Sequence, residues 1–216
     1  PVEIVTAENV IREFSRNALV KEQDMYRIHK LYELIQGDGT FGSTHVVAAQ
    51  LDKSNAIATL TALLQTVRGD AETMDGFVAL VSYPNQTHFL EAADQTYHQI
   101  AFGQRVAVNG VEYDNVMMLD DLPCIFVPQS RMKTEITVQA GAEDGGGIVA
   151  GPGAKDIHAL IVHCETPLAV SKLDAIKQFG PEENQFFDGT SIQARYLYDL
   201  FVESKRLPTI GAVVAQ

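Results

Sequence analysis

No run of apolar residues in this chain approaches the ~20 that a bilayer-crossing helix needs, and both cysteine and basic side chains are scarce. The first absence leaves the sequence without a candidate membrane helix. Apolar residues still make up 46% of 216 positions, enough to bury a substantial core as one large or two small domains. The two cysteines, Cys124 and Cys164, stand in apolar surroundings without a C-x-x-C spacing. They read as small buried hydrophobes rather than as a disulfide or a metal pair, and the compartment reads as reducing. Lys and Arg number 16 against 28 Asp and Glu, a net charge of -12 that disfavours an attractive, counterion-releasing nucleic-acid interface. The chain opens at Pro1 with neither Met nor a cationic, apolar leader, so the expectation is no secretory signal and a processed or truncated product. Internal repeats and low-complexity tails are missing too.

What is present is alternation of helical and strand-like patterns. Residues 7–36 read as one long helix, with Thr6 as N-cap, Glu8 in the first turn and Gly37 as terminator. Ile11, Ala18, Met25 and Tyr32 recur every seven residues with Phe14, Ile28 and Ile35 interleaved, a narrow apolar stripe ~45 Å long at 1.5 Å per residue. Lys21 interrupts that stripe, which argues for a helix lying across a sheet and against a continuous coiled coil. A second helix is expected over 53–69 with Ser54 as cap, and a third over 85–102 carrying Phe89, Leu90, Ala93 and Tyr97. Strands are expected at 77–82, 125–127, 157–164 and 168–179, with a strand or hairpin over 106–114. The Gly-rich stretch 140–154 reads as a surface loop. Over 188–215 the pattern is one long amphipathic strand and a short apolar one, with Ile192, Ala194, Tyr196, Tyr198, Leu200 and Val202 on one face. Gln193, Arg195, Asp199 and Glu203 fall on the other. This order predicts a mixed α+β architecture.

Reactive constellations are weak. Gly37-Asp38-Gly39-Thr40-Phe41-Gly42 fits G-x-G-x-x-G formally, but it follows a helix instead of opening one, so it reads as a helix end and a turn. None of His29, His45, His88, His98, His158 and His163 pairs with another at the i, i+4 spacing of a helical metal site, and His158 and His163 fall on opposite faces of one strand. The adjacent acids Asp120-Asp121, Glu143-Asp144 and Glu182-Glu183 read as solvated turns. Ser82 lacks the glycine-flanked elbow that exposes a nucleophilic serine. Asn85-Gln86-Thr87 is a glycosylation sequon by pattern only.

The terminal segment carries a resemblance. Arg195, Tyr198, Asp199, Val202, Lys205, Ile210 and Gly211 match in order the Arg-x-x-Tyr-Asp-x-x-Val run, Lys and Gly-containing apolar end of tailed-bacteriophage major capsid proteins, the Hong Kong 97-type fold. Residues 7–36 resemble that family's spine helix, Gly37-Asp38-Gly39 the turn that leaves it, residues 78–93 a strand and helix of its axial domain, and Leu122-Pro123-Cys124-Ile125-Phe126-Val127 the strand that follows. The family's N-terminal arm and extended hairpin have no counterpart in Pro1 to Thr6.

The resemblance implies a structural subunit with a peripheral domain of residues 1–36 and 165–207 and an axial domain of 37–164 and 208–216. It implies self-assembly into pentamers and hexamers of an icosahedral virion shell, built in the bacterial host cytoplasm, with scaffold, portal or protease as assembly partners. Such a shell encloses DNA without sequence-specific binding and needs no basic surface, cofactor, catalytic residue or membrane. Candidate subunit contacts are Arg12, Arg16, Glu22, Arg27 and Lys30, taken as the exposed face of the long helix, and Glu143 and Asp144 in the Gly-rich loop. An encapsulin-type shell for protein cargo and a small soluble enzyme with an interdomain cleft are the alternatives.

Overall fold

A computed structural model describes residues 7–93, 98–141, 146–180, 182–183, 189 and 191–216. In chain order it comprises helix α1 (Ala7–Phe14), a π-helical turn (Ser15–Leu19), α2 (Val20–Gln36), α3 (Gly42–His45), β1 (Val46–Ala48) and α4 (Ala56–Ala71). There follow β2 (Phe77–Ser82), α5 (Gln86–Ala93), β3 (Ile100–Val108), β4 (Val111–Leu119), β5 (Leu122–Val127), β6 (Ile136–Gln139) and β7 (Gly147–Ala150). The chain ends with β8 (Ile157–His163), β9 (Leu168–Phe179), β10 (Ser191–Phe201) and β11 (Ile210–Val214).

Seven strands form one mixed sheet in the order β1-β11-β8-β2-β5-β4-β3, while β9 and β10 pair only with each other and β6 only with β7. The sheet is covered on both faces, which explains why its central strands are mostly apolar. On one face α4 packs Leu60, Leu63, Leu64 and Val67 against Ala79, Val81, Ala159, Ile161 and Val213. On the other, α2 packs Ile28, Leu31, Tyr32 and Ile35 against Ile157, Leu160, Ile210, Ala212 and Val214. The C-terminal half of the long helix thus lies across the sheet, as its stripe predicts. Gly211 sits at the closest approach of α4, where a Cβ would meet Val67 Cγ2 at 2.7 Å and Leu63 Cδ1 at 3.0 Å. Only a glycine lets helix and strand come this near.

Helix-forming conformation runs from residue 7 to 36 as expected, but the i→i+5 turn at Ser15–Leu19 divides it. Gly37 closes α2, donating its N–H to Glu33 O at 2.9 Å, and Asp38 then accepts the N–H groups of Thr40 and Phe41 at 2.8 and 2.9 Å. The formal G-x-G-x-x-G is therefore a helix end and an Asx turn. Ser54 is not the cap of α4: Asp52 Oδ1 accepts from the N–H of Ser54 and Asn55, and the helix starts at Ala56.

Other expectations hold only in part. The third helix stops at Ala93 instead of running to residue 102, and Ile100 and Phe102 belong to β3, opposite Leu119 and beside Met118 of β4. Tyr97 lies outside the described residues. The β3-β4 hairpin turns through Asn109-Gly110 with φ of 48° and 78°, the two-residue turn that Asn-Gly favours, and it is longer at both ends than the expected 106–114. The Gly-rich stretch is not all loop either, since β7 pairs with β6 from Ile136↔Ala150 to Gln139↔Gly147. Gly146 and Gly147, at φ of 72° and 110°, lead the chain into that strand.

Candidate assembly surfaces

The five expected helix residues do not share one exposed face. Arg12 and Arg16 are exposed, Arg12 bonding back to Asn9. Glu22 is half-buried beside Gly147 of β7, and that burial raises its carboxyl above the ordinary range. Arg27 is half-buried with its Nε shut off from water and without a hydrogen-bond partner among the described residues. Lys30 is half-buried and paired with Glu33 at 2.8 Å. The sheet and the β6-β7 hairpin cover the helix from about Glu22 onward, so charge alone was a poor guide to exposure. Glu143 and Asp144 lie outside the described residues.

Apolar side chains mark the exposed surface, Phe14 of the expected helix stripe among them. Before the sheet is reached, Val10, Phe14 and Val20 of the long helix stand in water. The β9-β10 ribbon has two unlike faces, because residues opposite each other across the pair share a face. One turns to the body: Leu200 is buried, and Tyr198 meets Tyr26 of α2 edge to face at 5.6 Å. Tyr26 Oη donates to Asp199 Oδ1 at 2.6 Å, a bond that pushes the Tyr26 phenol up to about 12 and holds the Asp199 carboxyl below its ordinary range. The other face is open, with Leu168 64%, Phe201 53%, Leu197 55% and Val170 42% exposed. Leu168 and Phe201 are direct cross-strand partners. Leu197 and Phe201 occur at the positions that the alternation assigns to the polar face, a signal legible in the sequence.

Between α2, the sheet and the root of the ribbon lies a cavity of about 500 Å³. Its walls are mainly apolar, including Ile28, Leu31, Leu80, Phe126 and Val162, and its carboxylate, Asp24, is engaged by Arg131 at 2.6 Å. Among the described residues its lining holds no Ser, Cys or His. Polar clusters elsewhere are structural ties. Buried His45 joins α3 to Ile210 O and to Asp70 Oδ2 of α4, both at 2.8 Å. Asn85 Nδ2 lies 2.5 Å from Ser82 Oγ and 3.1 Å from His158 Nδ1, which fastens the end of β2 to β8. Burial lowers the His158 imidazole below its ordinary value. Cys124 is fully buried and its thiol is pushed up to about 12 by that burial, while Cys164 is partly exposed. Among the described residues no three His, Cys, Asp or Glu side chains gather as a metal site, and no helix is long and apolar enough to cross a membrane.

No family model and no curated protein matches the chain. Solved structures do. A chain of the capsid structure of the Cyanophage P-SCSP1u superposes with a TM-score of 0.63 at 12% identity, covering 100% of this chain and 67% of that one. A chain from the mature capsid of bacteriophage PhiM1 gives 0.57 at 14%, covering 100% and 66%. A chain of Mycobacterium phage Che8 gives 0.53 at 12%, covering 96% and 63%. The chain thus spans about two thirds of the length of the chains it resembles. Virtually every residue of it takes part in the match, and its α+β fold is that of phage capsid proteins.

Proposed function

We propose that the protein is a structural subunit of an icosahedral bacteriophage or prophage capsid, assembling as pentamers and hexamers around the DNA genome. The observation that carries this reading is a pair of apolar surfaces left uncovered on one chain, the open face of the β9-β10 ribbon and the first half of the long helix. A two-stranded ribbon is marginal in water by itself and needs a further layer on its apolar side. Two distinct surfaces per copy suit repeated head-to-tail contacts, which closed symmetry multiplies into a stable ring or shell. The fold shared with phage capsid chains over the whole length supports the same conclusion, as does a net charge of -12, which suits enclosing DNA better than gripping it.

On this reading the virion is the protein's place and its role is structural, not enzymatic. The ribbon with the long helix, residues 1–36 and 165–207, forms the peripheral unit, and residues 37–164 and 208–216 the axial one. Arg12 and Arg16, exposed on the free half of the helix, are contact residues between copies. The test is electron microscopy of the 216-residue chain, alongside any longer protein its gene encodes. Closed shells or rings are expected. A uniform small monomer from the longer protein would overturn the proposal.

A further inference from the structure

The open face of the ribbon is graded along its length. At its root Leu168, Val170, Leu197 and Phe201 form an apolar step, interrupted by Asp199, which stands opposite Val170 and is engaged by Tyr26 Oη. Farther along the same face come Arg195, opposite Ala175, and Lys177, opposite Gln193, both exposed. Among the described residues neither cation has an ion partner. A two-fold pairing of this face with itself would set cation on cation or cation on the apolar step, and neither is favourable. The fitting occupant is an apolar side chain flanked by acids.

The chain presents one elsewhere on its surface. Of the exposed large apolar side chains, Val138 and Met74 are the most open, at 76% and 68%. Val138 stands between Thr137 and Gln139, whereas Met74 stands between Glu72 and Asp75 on the loop from α4 to β2. Both acids are exposed and lack an ion partner among the described residues. The loop is held at its root, because Glu72 takes the left-handed conformation, φ 51°, that ends α4 and returns its N–H to Arg68 O.

We propose that the Glu72-Asp75 loop of one copy docks on the open ribbon face of a second, with Met74 against Leu197, and the two carboxylates on Arg195 and Lys177. The reach is suitable: Arg195 and Leu197 are two residues apart on one strand, ~7 Å, and Lys177, opposite Gln193, lies ~13 Å along from Leu197, which the four-residue loop and its extended side chains span. The contact is heterologous, so each copy offers a loop to one neighbour and a ribbon to the next. It also brings negative groups of a chain of net charge -12 onto otherwise unanswered cations. The inference rests on the subunit reading above and specifies one contact within it.

The experiment uses the full chain with Cys164→Ser, which leaves buried Cys124 as the remaining native thiol. One batch carries Met74→Cys and the other Leu197→Cys, and the two are mixed under mild oxidation. A covalent dimer is expected at about ten-fold the yield of either batch alone. Glu72→Lys with Asp75→Lys in the first batch should abolish it, and Lys177→Glu with Arg195→Glu in the second should restore it. If Leu197→Cys does not fold, exposed Gln193→Cys on the same face takes its place. Mixed dimer no more abundant than in the separate batches, under conditions where the wild type forms shells or rings, overturns this contact and leaves the subunit reading standing. Failure of the longer protein to form any assembly overturns both.

Discussion

Strands β8 and β10 are both rich in β-branched, aromatic and aliphatic residues, yet they live in different surroundings. β8 reads Ile-His-Ala-Leu-Ile-Val-His and is buried for six of its seven residues, flanked by β11 and β2 and covered by a helix on each side. β10 is longer, has one neighbour, and is covered on one face only near its root, since Ala194 and its partner Ile176 are exposed farther along. Strand propensity is thus shared, and the number of layers decides how much apolar surface leaves water. The sheet is covered on both faces within one chain, while the ribbon leaves apolar side chains of one face to water.

The contrast is sharpest where the sheet is deepest. Ile161 is fully buried beneath α4, and Ile161→Ala removes packed volume that its neighbours cannot refill. A loss of about 2–5 kcal/mol in urea-unfolding stability is expected. Gly211→Ala tests the same packing from the opposite direction. The added methyl would collide with Val67 and Leu63, and a loss of about 1–3 kcal/mol is expected from overpacking. A neutral outcome for either would mean that the sheet and α4 are looser than their contacts imply.

How far the sequence foretold this contrast differs from element to element. The bounds expected for β2 were those found, and residues 7–36 are helical throughout, since a sustained apolar pattern, a Gly stop or a proline boundary is local information. The period-two alternation of β10 was equally plain. What failed depended on distant partners. Ile100 and Phe102 continue a helical-looking stretch but are drawn into β3 by Leu119 and Met118, and the strand after Gly146 exists because β6 is there to pair with it. The charged helix face failed for the same reason: whether Glu22 or Arg27 meets water depends on elements more than a hundred residues away, and no spacing within the helix records that. Conversely, Leu197 and Phe201 broke the polar face of β10 in full view.

The join between the two regions gives a prediction with a pH signature. Tyr26 of α2 holds the ribbon through Asp199, and Tyr26→Phe keeps the ring but deletes the donor. A fall of a few degrees in melting temperature is expected, smaller than for the sheet variants because the bond is partly solvated. The folded phenol, at about 12, lies above the ordinary 10 of the unfolded chain. Its contribution is therefore whole below pH 10 and is lost as pH rises through 12. The Asp199 carboxyl is shifted down from 3.8, so its share is present above that value and lost as pH falls through the folded one. Wild type and Tyr26→Phe should accordingly converge in stability at both extremes. Parallel curves from acid to alkali would sink the assignment.

The smallest expected effect on the monomer is the most informative. Leu197 is 55% exposed on the open face, so Leu197→Ala forfeits little burial within its own chain, and its effect on unfolding should stay within about 0.5 kcal/mol. Ile161→Ala deletes an aliphatic side chain of the same size from another strand at several times that cost. If Leu197 matters only where a second copy covers it, the ranking reverses in assembly: Leu197→Ala at unchanged monomer stability should raise the protein concentration needed for shells or rings, read by sedimentation. Ile161→Ala, tested below its melting temperature, should leave that concentration nearly unchanged, because its side chain faces α4 in either state. Should Leu197→Ala destabilise the isolated monomer as much as Ile161→Ala does, the ribbon is finished within one chain and the distinction between the two regions collapses.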